Sequence, residues 1–240
     1  MNVIIDVHSH ILPGLDDGSS NMEESLEMLR MAYQQGVRQI IATPHYSGRF
    51  RDASPGRVRK LCEEVQEAAR QQGMKIRIYP GQEIMYTDEA ADLLREGKLL
   101  TMADSRYVLV EFFPSVTWSA LQQAVRTLMM SGCVPVIAHA ERYPCLRENG
   151  RIEILREQGI LIQLNYRSAG GNWHDRTTRW CRKMLKEKKA DLLGTDMHNT
   201  GNRSPSTQSA VKWMEAHLTR LGMRKVMYGN AMKLIADEKI

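Results

Sequence analysis

The stretch Val3-Ile4-Ile5-Asp6-Val7-His8-Ser9-His10 decides the reading of this chain. Its apolar run predicts a β-strand, and side chains two apart on a strand share a face, so both imidazoles at its end can grip one metal ion. Gly194-Thr195-Asp196-Met197-His198 repeats the arrangement near the other end, with two ligand-type side chains at i and i+2 after an apolar run. Between them Thr43-Pro44-His45, Gly81-Gln82-Glu83, Val110-Glu111 and Ala138-His139 each set a His or Glu at or just past the end of a predicted strand. A single His-x-His occurs on many protein surfaces. Its recurrence at strand ends carries the argument.

Working outward, seven strand-like runs fall at residues 3–7, 38–43, 76–80, 107–112, 134–138, 160–165 and 190–195. Amphipathic helical stretches separate them at 22–35, 56–72, 88–96, 118–131, 152–158 and 175–188, and two more at 206–221 and 230–237 close the chain. Ser19, Ser20 and Asn21 offer N-cap chemistry for the first helix and Gly36 a stop. Strand and helix in alternation predict a parallel sheet with right-handed crossovers, and seven such units favour a closed or nearly closed single-domain α/β barrel over an open sheet. In such barrels function collects at the carboxyl ends of the strands, where every His and Glu named above is placed. Asn165 ends the sixth strand and reads as a structural amide or a substrate contact.

At 240 residues the chain suits one large domain, with no Pro/Gly/Ser-rich linker and no repeat. It runs straight into a strand without the basic and apolar segments of an export signal, and no apolar run approaches membrane-spanning length, so a cytoplasmic enzyme without membrane insertion is expected. Cys62, Cys133, Cys145 and Cys181 form no C-x-x-C pair, which argues against a thiolate zinc site and a disulfide framework. The formal charge of +5 is modest, and the basic run at 182–189 is interleaved with apolar residues at helical spacing. It reads as a solvated helix face, and no nucleic-acid partner is expected.

Adding Asp17, from the loop Pro13-Gly14-Leu15-Asp16-Asp17-Gly18, gives five histidines (His8, His10, His45, His139, His198) and four carboxylates (Asp17, Glu83, Glu111, Asp196) as candidate metal ligands. Spacing alone does not separate Asp17 from Asp16. Such a set serves more than one ion, and with one bridging carboxylate it suits three divalent ions with positions left open. Such ions offset the four carboxylates, hold a phosphate, and lower the pKa of water from 15.7 to about 7. Arg142, three residues after His139, and Arg203, five after His198, are the candidate phosphate clamps, because a planar guanidinium fork matches phosphate oxygens.

Some features are read as bland. His217 is expected on a helix surface and His174 near the mouth at most, while the tryptophans and methionines read as core. Cys145-Leu146-Arg147-Glu148-Asn149-Gly150-Arg151 matches the C-x5-R spacing of cysteine-dependent tyrosine phosphatases, which need a thiolate in a cradle of backbone N–H groups. Here no strand runs into the cysteine, Pro144 removes a donor, and Glu148 would put a carboxylate in the cradle.

With those residues in hand, the chain resembles the polymerase-and-histidinol-phosphatase superfamily, and within it the bacterial manganese-dependent protein-tyrosine phosphatases of capsule and exopolysaccharide synthesis. The motifs are D-V-H-S-H-I-L-P-G-L-D-D-G at 6–18, A-T-P-H at 42–45, G-Q-E at 81–83, V-E-F-F-P at 110–114, I-A-H-A-E-R at 137–142 and G-T-D-M-H-N-T-G-N-R at 194–203, spread over the whole chain. The resemblance implies a distorted (β/α)7 barrel with three transition-metal ions at its mouth, manganese first, with iron, cobalt or zinc as alternatives. It implies one ion on His8, His10, Glu83 and Asp196, a second on Glu83, Glu111 and His139, and a third on Asp17, His45 and His198. It further implies hydrolysis of protein phosphotyrosine, with a bacterial tyrosine kinase as substrate; a small-molecule phosphatase such as one for histidinol phosphate is the alternative. Glu111 favours the former, since the histidinol-phosphatase-like branches often carry histidine there. The loop at 167–174 departs from the leucine-rich version of the family.

Overall fold

The computed structural model describes residues 3–50 and 52–240. Nine strands, all paired in parallel, form the framework: β1 (Ile4–Ser9), β2 (Val37–Ala42), β3 (His45–Tyr46), β4 (Arg77–Pro80), β5 (Glu83–Met85), β6 (Tyr107–Glu111), β7 (Val134–Ile137), β8 (Leu161–Asn165) and β9 (Leu192–Gly194). Two of the seven expected strands resume past their expected ends, as β3 beyond β2 and β5 beyond β4. β2 pairs with β4 at Ala42–Pro80 and β3 with β5 at His45–Glu83, so both ladders join residues 38 apart and continue one register across the gap. Pro44, which has no N–H to donate, interrupts the first strand, and Gly81 sits where a Cβ would lie 3.0 Å from the Ile41 side chain.

Through these breaks the chain passes from a three-stranded arc, β1-β2-β4, into a six-stranded arc, β3-β5-β6-β7-β8-β9. The result is a curled parallel sheet. The last residue of β1 meets the segment just past β9 at one bridge, Ser9 to Met197, flanked by Asp196 N–H donating to the His8 carbonyl at 2.8 Å and His10 N–H to the Met197 carbonyl at 2.9 Å.

Helices α1 (Met22–Gln34), α2 (Pro55–Gln71), α3 (Ala90–Arg95), α4 (Trp118–Met130), α5 (Arg151–Glu157), α6 (Tyr166–Ala169), α7 (Arg176–Lys186), α8 (Gln208–His217), α9 (Arg220–Arg224) and α10 (Asn230–Ile235) fill the intervals. Side-chain caps start several of them: Asn21 accepts from Glu24 N–H, Thr117 from Ala120 N–H, and Asp175 from Thr177 and Thr178 N–H. The end of the chain departs from expectation. The helix anticipated to run to 221 stops at His217, Leu218 is extended, and Thr219 caps a new helix that continues from α9 through a π-turn at Lys225–Gly229 into α10.

Strand alternation sorts the side chains. On β6, Tyr107 and Leu109 face the inner cluster, which α10 closes with Ala231 and Leu234, while Val108 and Val110 face the helices. By the same period Glu111 continues the inner row of β6, and Gln163 and Asn165 that of β8 after Leu161. On β6 and β8 polar residues thus replace apolar ones on the inner face toward the carboxyl ends. Among the described residues no helix is long and apolar enough to cross a membrane.

Candidate metal centre

All nine candidate ligands converge at those carboxyl ends. Glu83 stands in the middle: its Oε2 lies 3.1 Å from His8 Nε2, 3.3 Å from His10 Nε2 and 3.1 Å from His45 Nδ1, and its Oε1 lies 2.8 Å from His139 Nε2. Glu111 approaches His139 Nε2 at 3.3 Å and His45 Nδ1 at 3.7 Å. Asp196 Oδ1 is 3.6 Å from His8 Nε2 and 3.5 Å from both His10 Nε2 and His198 Nδ1. Asp17 Oδ1 is 3.5 Å from both His45 Nε2 and His198 Nε2. Ligand atoms within 4.8 Å of one another form four overlapping sets: His8, His10 and Asp196; His8, Glu83 and His139; His45, Glu83 and Glu111; and His10, Asp17, His45 and His198.

The donor set fits cations. Glu83 Oε2 and His198 Nε2 are buried without a hydrogen-bond partner, and His8 Nε2 faces His10 Nε2 at 3.2 Å. Polar atoms left so in a protein interior are costly unless a bound group satisfies them. Imidazole nitrogens mixed with carboxylate oxygens, with no thiolate, suit first-row transition metals. Burial, aided by the charge on His10, pushes His198 down to about 4, which keeps its ring neutral and able to ligate. For His139 burial opposes charging, but hydrogen bonds that its ring donates to Glu111 and Glu83 prevail and raise it to about 9.

Around the ligands lies a set of orienting groups that motif reading passed over or left undecided. Asp16, whose side chain is wholly buried, accepts from His10 Nδ1–H at 2.7 Å and from His45 N–H at 2.8 Å through Oδ2, and from Gly18 N–H at 2.9 Å through Oδ1. It fixes the His10 tautomer so that Nε2 faces the cluster, whereas Asp17, 46% exposed, turns its own carboxylate toward His45 and His198. Gln163 Oε1 lies 3.2 Å from His8 Nδ1 and accepts His139 N–H at 2.6 Å; its Nε2 donates to Asn165 Oδ1 at 2.9 Å, and Asn165 Nδ2 donates to Asp196 Oδ2 at 2.9 Å. Asn165 is therefore a structural amide. Asp6 takes Thr195 N–H at 2.8 Å and Thr195 Oγ1–H at 2.6 Å, tying β1 to the segment that carries Asp196, and its burial raises its carboxyl to about 6.

Backbone geometry is specialised at the same place. His139 (φ 32°) and Asp196 (φ 52°) occupy the left-handed region, a conformation that costs a non-glycine residue on the order of 1 kcal/mol or more and collects at functional sites. Two glycines make room: a Cβ on Gly18 would lie 2.3 Å from the His10 carbonyl oxygen, and one on Gly194 would lie 2.5 Å from His8 Cβ.

Both arginines reach the cluster. Arg142 pairs with Asp196 Oδ2 and lies 3.7 Å from Glu111, and Arg203 lies 3.2 Å from Asp196 and 3.4 Å from Asp17; their side chains are 39% and 35% exposed. Residues 167–169 of the expected 167–174 loop lie in α6, from which Arg167 donates to the Asn202 and Ser204 carbonyls and so anchors the segment to the turn that carries Arg203. The C-x5-R match is not a phosphate cradle: Arg151 donates to the Cys145 carbonyl at 2.7 Å, and burial pushes the Cys145 thiol above its ordinary value, away from thiolate. His174 packs on Trp173, and His217 stacks on Trp213 with its Nδ1 on the Trp213 carbonyl at 2.8 Å.

Known proteins are similar to this chain over most of its length. The tyrosine-protein phosphatase YwqE of Bacillus subtilis is 33% identical over 214 residues, covering 88% of this chain and 84% of that one. The tyrosine-protein phosphatase CpsB of Streptococcus pneumoniae is 30% identical over 243 aligned residues, covering 99% of this chain and all of that one. A crystal structure from work on these two, described as unique metal-dependent tyrosine phosphatases, superposes with a TM-score of 0.90 at 30% identity, covering 99% of this chain and 96% of that one. The dihydropyrimidinase of Brevibacillus agri, at 12% identity and a TM-score of 0.59 over 98% of this chain and 70% of that one, shares the fold alone. The capsular polysaccharide synthesis family CpsB/CapC matches residues 4–236, and the chain belongs to that family.

Proposed function

We propose that this protein is a metal-dependent phosphomonoesterase that hydrolyses phosphotyrosine on protein substrates. The observation that carries the reading is the convergence of nine nitrogen and oxygen ligands around the partnerless Glu83 Oε2, with two half-exposed arginines on its rim. The overlapping sets support three ions: one on His8, His10, Glu83 and Asp196, one on Glu83, Glu111 and His139, and one on Asp17, His45 and His198. Manganese is the ion we assign first. When bound, such ions supply charge that draws in a phosphate and water acidified enough to attack it at neutral pH.

The chain's own residues do the rest. Arg142 and Arg203 each hold Asp196 through Nη2 and approach Glu111 or Asp17 through Nη1, and their partly exposed guanidinium groups at the rim are placed to take phosphate oxygens and orient the ester for in-line displacement. A tyrosine phenolate, of pKa about 10, departs without a strong general acid. His8, His10 and His139 are held in single orientations by Gln163, Asp16 and Glu83, so the site needs little reorganisation.

The wider reading is supported by the likeness to tyrosine-protein phosphatases and by the capsular polysaccharide family. The curled sheet counts as a distorted (β/α)7 barrel with its seam at β1 and β9, the protein works in the cytoplasm, and the phosphotyrosine belongs to a bacterial tyrosine kinase that controls capsular or extracellular polysaccharide synthesis. The test is metal stripping followed by reconstitution. Stripped protein is expected to lose turnover of a phosphotyrosine peptide, with Mn²⁺ restoring it better than Mg²⁺, because five imidazoles prefer a transition metal to an oxygen-seeking ion. Full turnover in protein shown by metal analysis to be empty, or preference for histidinol phosphate over the peptide, would overturn the proposal.

A further inference from the structure

The loop after β3 leaves the cluster at His45 and returns an aromatic ring onto it. The Phe50 ring lies within 13° of parallel to the His45 ring, with centroids 5.8 Å apart. Its placement is set by the backbone: Ser47 N–H donates to the Phe50 carbonyl at 3.3 Å, Phe50 N–H to the Ser47 carbonyl at 3.2 Å, and Ser47 Oγ accepts Arg49 N–H at 3.3 Å. Phe50 is half-buried and belongs to neither apolar core cluster. The exposed Arg49 guanidinium sits over the same ring, 5.1 Å from its centroid. The phenyl ring thus contacts both an exposed guanidinium and the imidazole of His45, whose Nδ1 is 3.1 Å from Glu83.

We infer that Phe50, steadied by Arg49, is a specificity-determining residue that receives the aromatic ring of the substrate. The inference rests on the proposed function, in which the phosphate lands on the cluster. An aryl ester carries its ring one oxygen away from phosphorus, so a ring whose phosphate is on the cluster lies at the rim beside His45. Aromatic pairs interact at centroid separations of 4.5–7 Å in offset or edge arrangements, and an alkyl ester has no face to offer. A mere shield for His45 would serve alkyl and aryl esters alike.

Non-hydrolysable probes separate these roles. Metal-loaded protein is titrated calorimetrically with phenylphosphonate and with methylphosphonate, for the wild type, Phe50→Ala and Phe50→Trp, with metal content measured in each. Phe50→Ala is expected to bind phenylphosphonate about 3- to 10-fold more weakly while methylphosphonate changes less than about 2-fold, and Phe50→Trp is expected to restore the difference. Equal losses for the two probes, or an unchanged ratio, would overturn the inference and leave Phe50 as a cover for His45. If loaded wild-type protein bound neither phosphonate, the phosphate site itself would fall, and with it the proposed function.

Discussion

Asp16 and Asp17 are neighbours with opposite expected phenotypes. Asp16→Asn can keep its amide oxygen toward His10 Nδ1–H and His45 N–H, both of which now use Oδ2, but its NH₂ then faces Gly18 N–H, where Oδ1 accepted at 2.9 Å. A buried donor left facing a donor costs about 1–3 kcal/mol. Taking about 2 kcal/mol, and about 2–4 °C per kcal/mol for a chain of this size, metal-free Asp16→Asn should melt about 4–8 °C below wild type. Asp17 is 46% exposed and holds no backbone group, so Asp17→Asn should shift the metal-free melting point by no more than about 2 °C, in keeping with a surface change within about 0.5 kcal/mol. Metal retention should show the reverse emphasis, with Asp17→Asn losing an ion from the His45 and His198 set while its fold persists. The assay is calorimetric melting of chelator-treated protein followed by metal analysis after reloading. If Asp17→Asn lowered the metal-free melting point more than Asp16→Asn, the assignment of ligand and orienting residue would be inverted.

Other expectations are simpler to state. Cys145→Ser should retain near-normal phosphatase activity while His139→Ala or Asp196→Ala lose orders of magnitude; a trapped phosphocysteine at position 145 would refute this. Arg142→Ala and Arg203→Ala should each lower kcat/KM about 10- to 150-fold through loss of a charge-assisted contact worth about 1.5–3 kcal/mol, with metal content unchanged. Lys at either position should rescue poorly because it lacks the fork, and wild-type rates in both alanine variants with all metals bound would remove the clamp from the mechanism. Gly194→Ala places a Cβ 2.5 Å from that of His8, so the strands must part there; the metal-loaded protein should melt lower and bind its ions more weakly, and an unchanged metal affinity would show that His8 can shift freely.

Eight of the nine ligands were legible because each stands at or just past the end of an apolar run, so residue type and strand period together placed them at one end of the sheet, whereas Asp17 lies in a loop that carries no such period. The orienting groups were not. Gln163 and Asn165 look like ordinary polar residues ending a strand, and their meaning comes from partners as distant in sequence as His8, 155 residues away. The inner-face period, Leu161 then Gln163 then Asn165, was the one signal available, since an amide on a core-facing position needs a partner. The broken strands were hidden for a related reason: Pro44 and Gly81 read as strand ends, and only the shared register shows that the ladder resumes. The helix end at His217 and the new helix from Arg220 were missed because no proline or strong stop marks the boundary, which a threonine cap makes instead, whereas the last helix starts at Asn230 as expected.

The seam between β1 and β9 ties chain completion to metal capture. Asp6 and Thr195 are bonded across 189 residues, and beyond them His8 and His10 meet Asp196 and His198. Synthesis proceeds from the amino end, so Asp196 and His198 join the other seven ligands only when nearly the last strand has been made. A chain clipped before residue 195 keeps the sets His8, Glu83 and His139 and His45, Glu83 and Glu111 but lacks both sets that span the seam, so ions on those two would add their binding energy only to the finished sheet. An ion held there would act as a clasp fastened last, by the two ends of the chain together.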